Sequence, residues 1–106
     1  MNKKSVALLK TLDMETGLTE MISVIHAAFN EKPHVVAMIT MDKALPVSKK
    51  LEKAFMLTNS VNDAWWNNKD VTPMFPERGC RSTSVGDMVL IGTEKFKCET
   101  SGWSEV

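Results

Sequence analysis

Apolar residues recur at helical spacing near the start of the chain, at every third or fourth position between residues 18 and 29. The positions concerned are Leu18, Met21, Ile22, Ile25, Ala28 and Phe29. This spacing predicts an amphipathic helix, because residues three or four apart lie on the same helical face. Asp13 or Thr16 can cap the start of this helix, and Asn30 and Pro33 follow its end.

The next apolar segment, Val35 to Met41, is β-branched at its start and apolar on both faces, as expected of an interior strand. Pro46 suits the first turn of a second helix, which we predict from Ser48 to about Asn59. One face of that helix is apolar, with Leu51, Ala54, Phe55 and Thr58. The other carries Lys49, Lys50, Glu52 and Lys53, which we interpret as a solvated surface because an acid lies among the lysines.

Residues 59–79 contain polar turn formers and two prolines, and they predict an irregular segment. Four large apolar residues nevertheless lie there: Trp65, Trp66, Met74 and Phe75. One interpretation places one tryptophan in the core and the other over it. The alternative is a contact surface, because tryptophan is enriched at binding hot spots. These four residues are therefore the candidate partner-binding site.

The segment from Arg81 to Asp87 is a polar loop that leads into the apolar run Met88–Ile91. Serine and threonine hydroxyls can satisfy the loop backbone, and Gly86 can adopt a conformation closed to other residues. A tight turn and an alternating segment, Lys95 to Glu99, follow and predict a β-hairpin, which we expect to end at Gly102-Trp103. We expect Arg81 to pair with an acid; the alternative is a phosphate site built from the arginine and the hydroxyl-rich loop.

Together these segments predict an α+β fold in which a small antiparallel sheet, including the C-terminal β-hairpin, packs against two helices. The length of 106 residues fits a single domain. Within it we distinguish an N-terminal helical extension, residues 1–34, from an α+β core, residues 35–106.

Charge and targeting features limit the function classes. Lys and Arg number 13 and Asp and Glu number 13, so the chain lacks the basic excess typical of nucleic-acid binding. No apolar run reaches the roughly 18 residues of a membrane-spanning helix. The basic start is followed by the apolar residues 5–12, a short helix or edge strand that Lys10 interrupts, which makes a poor signal peptide. We therefore expect a cytoplasmic protein.

The sequence predicts no catalytic, metal or cofactor site. Cys80 and Cys98 are the only cysteines, and we favour two buried free thiols over a disulfide. A zinc site would need these cysteines with His26 and His34, which do not form the paired spacings of structural zinc sites. We expect the ring of His26 to be half in water. A nucleophile at Ser82 or Ser84 has no G-x-S-x-G context and no histidine nearby in sequence, so we expect no enzyme activity.

The run Leu51–Ser60, the Trp65-Trp66 pair, the motif Arg81–Asp87, the short hairpin and the Gly102-Trp103 ending resemble a group of small proteins encoded by tailed bacteriophages. The C-terminal pattern is also similar to that of YodL-like domains. The resemblance covers about residues 35–106, although its Gly-aromatic ending usually carries Phe where this chain has Trp103. It marks the following residues as the family motif: Arg81, Ser82, Ser84, Gly86 and Asp87. It implies a phage origin and a location in the host cytoplasm, and no reaction.

Two functional hypotheses follow. The first is a non-catalytic phage accessory protein that binds and modulates a host protein, as a host-takeover or counter-defence inhibitor of the anti-CRISPR kind. The alternative is a small nucleic-acid-binding module that uses the sheet face, Arg81 and the lysine side of the second helix. Self-association through the apolar stripe of residues 18–29 stays open, and no cofactor or membrane partner is expected.

Overall fold

The computed structural model describes residues 18–60 and 63–106, which form one antiparallel sheet and one α-helix. The sheet has six strands in the order β3-β2-β1-β4-β5-β6. In chain order the elements are β1 (Thr19–His26), β2 (His34–Asp42), α1 (Val47–Leu57), a 3-10 turn (Trp65–Asn67), β3 (Val71–Pro73), β4 (Met88–Ile91), β5 (Glu94–Glu99) and β6 (Gly102–Glu105). Each pair of neighbouring strands is antiparallel.

The predicted fold class is wrong, because residues 18–60 and 63–106 are mostly sheet, and the six strands there pack against one helix rather than two. The predicted N-terminal helix is instead β1, which lies inside the sheet between β2 and β4. The apolar residues of β1 lie on both sides of the sheet. The segment therefore lacks the polar–apolar alternation typical of a strand, and its apolar spacing also fits one face of a helix. The β-branched content of this segment and two neighbouring strands favour the extended form. Residues 1–17, the rest of the predicted extension, lie outside the described residues.

Other elements agree with the sequence more closely. The strand predicted at Val35–Met41 is confirmed as β2, and the second helix is confirmed as α1. The predicted hairpin is confirmed as β4 and β5, joined by a two-residue turn at Gly92-Thr93. The prediction that this strand region ends at Gly102-Trp103 is wrong, however, because Gly102–Glu105 forms the edge strand β6. The segment predicted to be irregular also contributes β3 and the 3-10 turn.

Helix α1 and Trp65 cover one side of the sheet, which we call the inner face. The buried core there consists of Ile22, Val24, Val36, Ala37, Ile39, Met41, Leu51, Ala54, Trp65, Val71, Val89 and Ile91. Lys50 is also buried on α1, where its ammonium group pairs with the Glu20 carboxylate. The interpretation of all four charged helix residues as a solvated surface is therefore wrong for Lys50.

The opposite side of the sheet, which we call the outer face, is also largely apolar. By strand alternation and register it carries Met21, Ile25, Met38, Met88 and Leu90, none of which belongs to the inner core. Two hydroxyl groups bind methionine sulfurs across the strands, from Ser23 to Met38 at 3.2 Å and from Thr40 to Met21 at 3.1 Å. Most antiparallel sheets with one covered face carry polar residues on the other, so this face departs from the usual pattern.

Gly86 occupies a position where a side chain is excluded twice. Its φ of +100° is unfavourable for other residues, and an added Cβ would lie 3.1 Å from the Cβ of Ala28. Gly102 has a similar φ of +110° but no atom within 4 Å of such a Cβ. A comparison of substitutions at Gly86 and Gly102 therefore distinguishes the cost of backbone strain from the cost of a steric contact.

We predict that Gly86→Ala lowers the free energy of unfolding by about 2 to 3 kcal/mol and Gly102→Ala by about 1 to 2 kcal/mol, since only the first adds a steric contact. Urea unfolding of both variants measures the difference. Equal losses would show that the contact between Gly86 and Ala28 contributes nothing.

Candidate functional site

Asp87 lies at the centre of a hydrogen-bond network that joins two loops, and its side chain is fully buried. The carboxylate accepts three backbone N–H groups, from Ala27 at 2.8 Å, Ala28 at 2.9 Å and Ser84 at 2.8 Å. The guanidinium of Arg81 donates to both carboxylate oxygens, at 2.7 Å and 2.9 Å. These residues, together with Glu31, form what we call the Asp87 network.

Arg81 binds a second acid, which confirms the prediction that it pairs with a carboxylate. Its Nε and Nη2 atoms donate to Glu31 at 2.9 Å and 3.1 Å, and Nη1 also donates to the carbonyl of Ser82 at 3.0 Å. The guanidinium also lies 4.9 Å from the ring centre of Phe29. A guanidinium has five N–H groups, and these bonds with those to Asp87 engage all of them. Arg81 therefore has no donor left for a phosphate.

The network shifts the ionisation of its members. Burial alone would raise the pKa of Asp87, but hydrogen bonds from Arg81 and from the backbone N–H groups outweigh burial and lower the pKa to about 2. The hydrogen bond from Arg81 also lowers the pKa of Glu31. Asp87 is thus a permanent internal anion at neutral pH.

His26 is buried, with a relative exposure of 1%, so the prediction of a ring half in water is wrong. Its Nε2 atom lies 3.0 Å from the hydroxyl of Thr83, which itself donates to the hydroxyl of Thr58 at 2.7 Å. Because the Thr83 proton is directed to Thr58, the Thr83 oxygen accepts the proton of His26 Nε2. The other ring nitrogen, Nδ1, is left as an acceptor 3.7 Å from the Cys80 sulfur.

Cys80 and His26 have the spacing of a thiol–imidazole pair, but the surroundings favour its neutral form. Burial lowers the pKa of His26 and raises the pKa of Cys80. A nucleophilic pair needs the opposite shifts, because the attacking species is the thiolate. Both cysteines are free, as predicted, with Cys98 buried and Cys80 half-buried. The Cys80 thiol and the His26 imidazole are therefore in contact inside the fold, and neither the thiolate nor the imidazolium is favoured.

The remaining motif residues connect the loop to its neighbours. Ser82 accepts the backbone N–H of Ser60 at 3.0 Å, and the N–H of Gly86 donates to the carbonyl of Cys98 at 2.9 Å. Ser84 takes part through its backbone. The structure therefore brings Arg81, Ser84 and Asp87 together directly.

The four candidate partner-binding residues lie near β3, and they differ in exposure. Trp65 is buried at 1% exposure, and its indole N–H donates to the carbonyls of Cys80 and Arg81 at 3.2 Å and 3.0 Å. Trp66 and Phe75 pack edge-to-face against it, with ring centres 5.6 Å and 5.5 Å away, and Met74 is 52% exposed. One tryptophan thus fills the core and the other lies over it, and the exposed surface is supplied by the other three residues.

A groove between α1 and β6 was not predicted from the sequence. Its apolar lining residues are Val47, Leu51, Phe55, Phe96 and Trp103, and the acidic residues Glu52, Glu99 and Glu105 line it as well. The rings of Phe55 and Trp103 meet edge-to-face with their centres 6.4 Å apart. The large apolar side chain of Trp103 could have indicated this groove. The sequence analysis instead placed Trp103 at the end of the hairpin and not on an edge strand facing α1.

The sequence matches no protein-family model, and searches among curated proteins and solved structures found no significant match. Within residues 18–60 and 63–106, no three His, Cys, Asp or Glu side chains are placed to hold a metal ion. In the same part of the chain no helix has the length and apolar character needed to cross a membrane.

We predict that Asp87→Asn lowers the free energy of unfolding by about 3 kcal/mol at pH 7, because Arg81 loses its buried anionic partner and keeps only the more exposed Glu31. The folded pKa of about 2 lies below the unfolded value, so the stabilisation from this carboxylate is present above pH 4 and is lost as the pH falls towards 2. The difference between wild type and variant should shrink by roughly 2 kcal/mol over that range.

Urea unfolding at several pH values measures this change. Asp42→Asn is the control, because Asp42 is exposed and its carboxylate accepts only the N–H of Ala44 among the described hydrogen bonds. This substitution should cost under about 1 kcal/mol. A difference for Asp87→Asn that stays constant from pH 7 to pH 2 would contradict the role given to the ionised carboxylate.

Proposed function

We propose that this protein is a non-catalytic protein-binding module and that the outer face of its sheet binds the partner. The observation that carries the proposal is the apolar character of this face, where methionine, isoleucine and leucine lie at the centre of three adjacent strands. Met21 is 41% exposed and Val35, which pairs with Ile25 on this face, is 38% exposed. Ile25, Met38, Met88 and Leu90 on the same face are half-buried. Apolar surface that clusters on one face of a small protein marks an interaction site.

Methionine gives this surface a further property that suits protein binding. Its side chain is unbranched and polarisable, and such side chains adapt to irregular partner surfaces. Three methionines lie on the outer face, Met21, Met38 and Met88, and Lys95 and Lys97 follow beside them on β5. The lysines favour a partner with acidic groups around its own apolar contact.

The buried polar residues support a non-catalytic function. The Asp87 network is saturated by internal donors, and the Cys80–His26 pair is favoured in its neutral form.

A nucleic-acid-binding function has less support. Arg81 and Lys50 are engaged by carboxylates, Lys49 lies 3.7 Å from Glu52, and the outer face has no aromatic ring for base stacking. The bacteriophage origin and host-cytoplasmic location rest on the sequence resemblance alone.

The test compares methionine substitutions at three places on the protein. Met21→Lys/Met38→Lys alters the outer face, Met74→Lys alters the surface near Trp66, and Met56→Lys alters an exposed site on α1. A partner is captured from bacterial lysate with wild-type protein, purified, and titrated with each variant after circular dichroism has shown that the variant is folded. We expect the outer-face variant to weaken binding at least tenfold, which is about 1.4 kcal/mol, and the Met56 variant to bind as wild type does.

Loss of binding in the Met74 variant alone would move the site to the predicted residues Trp66, Met74 and Phe75. A gel shift with nucleic acid that weakens steeply with salt would favour the alternative function. Sedimentation that shows a dimer dissociated by the outer-face substitutions would assign this face to a second copy of the chain and would contradict the proposal.

A further inference from the structure

The outer edge of β6 carries backbone groups that are directed away from the sheet. The N–H of Val106 donates to the carbonyl of Lys95 at 2.9 Å, and the register pairs Ser104 with Lys97 and Gly102 with Glu99. In an antiparallel pair, hydrogen-bonded and non-hydrogen-bonded residue pairs alternate. Trp103 and Glu105 therefore belong to the second kind, and their N–H and C=O groups point to the open edge. No strand in the described part of the chain pairs with that edge.

The other edge of the sheet is closed to such pairing. On β3, the bonds from Met74 N–H to Val36 and from Thr40 N–H to Asp70 place Val71 and Pro73 in the outward-facing positions. Proline has no N–H, so Pro73 cannot donate to an added strand. Natural proteins protect sheet edges in this way, and within residues 18–60 and 63–106 the β6 edge carries no such proline.

The surface beside β6 is shaped for the side chains of an added strand. Trp103 and Glu105 point to the inner side, where the groove against α1 forms two adjoining depressions of about 250 and 390 Å³. Residues directly opposite each other in neighbouring strands point to the same side of the sheet. An added residue opposite Trp103 would thus meet Phe55 and Trp103, and one opposite Glu105 would meet a carboxylate.

We propose that β6 binds an extended peptide as a seventh strand, with a basic residue opposite Glu105 and an apolar residue opposite Trp103. The all-antiparallel sheet favours an antiparallel addition, which orders the peptide as basic-x-apolar from its N-terminus. This surface is separate from the outer face, because its side chains point to the opposite side of the sheet. The main-chain bonds supply affinity, while the groove and Glu105 supply selectivity.

The probe is a set of three blocked eight-residue peptides in a threonine background, with the central sequence Lys-Thr-Val, Val-Thr-Lys or Glu-Thr-Val. Each is titrated into isotope-labelled full-length protein, and backbone amide shifts are followed by NMR. We expect the Lys-Thr-Val peptide to bind at least fivefold more tightly than either of the others. Its largest shifts should fall on the amides of Trp103 and Glu105.

Two variants test the mechanism. Glu105→Pro removes an N–H that the β5–β6 ladder does not use and should abolish peptide binding, while Glu105→Gln removes only the charge and should reduce the preference for lysine over glutamate. Ser104→Ala is the control, since the Ser104 side chain lies on the outer side of the same strand.

Several results would overturn the proposal. These are shifts centred on the outer-face lysines or on β3, equal binding of the lysine and glutamate peptides, or no binding of any peptide by wild type. Concentration-dependent shifts at Trp103 and Glu105 without peptide would assign the edge to a second copy of the chain. Loss of outer-face partner binding would leave this result unaffected, because the peptide test uses neither that face nor its partner.

Discussion

The burial of a single carboxylate organises the C-terminal half of this protein. An unpaired charge of this kind is expensive to remove from water, and Asp87 is stable inside only because five donors surround it. Those donors come from the end of β1 and from the loop before β4, which are far apart in sequence. The hydrogen bonds to Asp87 therefore hold the two loops together and position the start of β4 beside β1.

The same region brings three ionisable side chains close together. Cys80, His26 and Asp87 lie close together, with 3.7 Å between the thiol and the imidazole and 3.8 Å between His26 Nε2 and Asp87 Oδ2. Yet Arg81 and backbone N–H groups already saturate the carboxylate, and the imidazole proton is directed to Thr83. Burial lowers the pKa of the imidazole and raises that of the thiol. The hydrogen bonds of this cluster are therefore made within the fold.

The sheet has two faces and two edges, and they differ in what covers them. Helix α1 and Trp65 cover the inner face, whereas the outer face keeps apolar residues at positions where a solvated sheet would be polar. Pro73 closes one edge, and the other presents the backbone of Trp103 and Glu105 beside an apolar groove. The two surfaces proposed to bind partners are the face and the edge that no other described residues of the chain cover or block.

The sequence by itself determined the elements whose local signals agree with one another. Val35–Met41 is apolar throughout and β-branched at its start, Pro46 precedes a helix with one apolar face, and Gly92 lies between two strand segments; each of these elements was predicted correctly. The pairing of Arg81 with an acid was also predicted correctly.

Only the tertiary structure decided the rest. Residues 19–26 carry apolar side chains on both faces, so their spacing fits a helix as well as a strand, and pairing with β2 and β4 selects the strand. The identity of the acids bound to Arg81, the burial of His26 and the edge position of Trp103 depend on contacts between residues distant in sequence. Local sequence patterns do not reveal such contacts, because each contact forms only when the strands have assembled into the sheet.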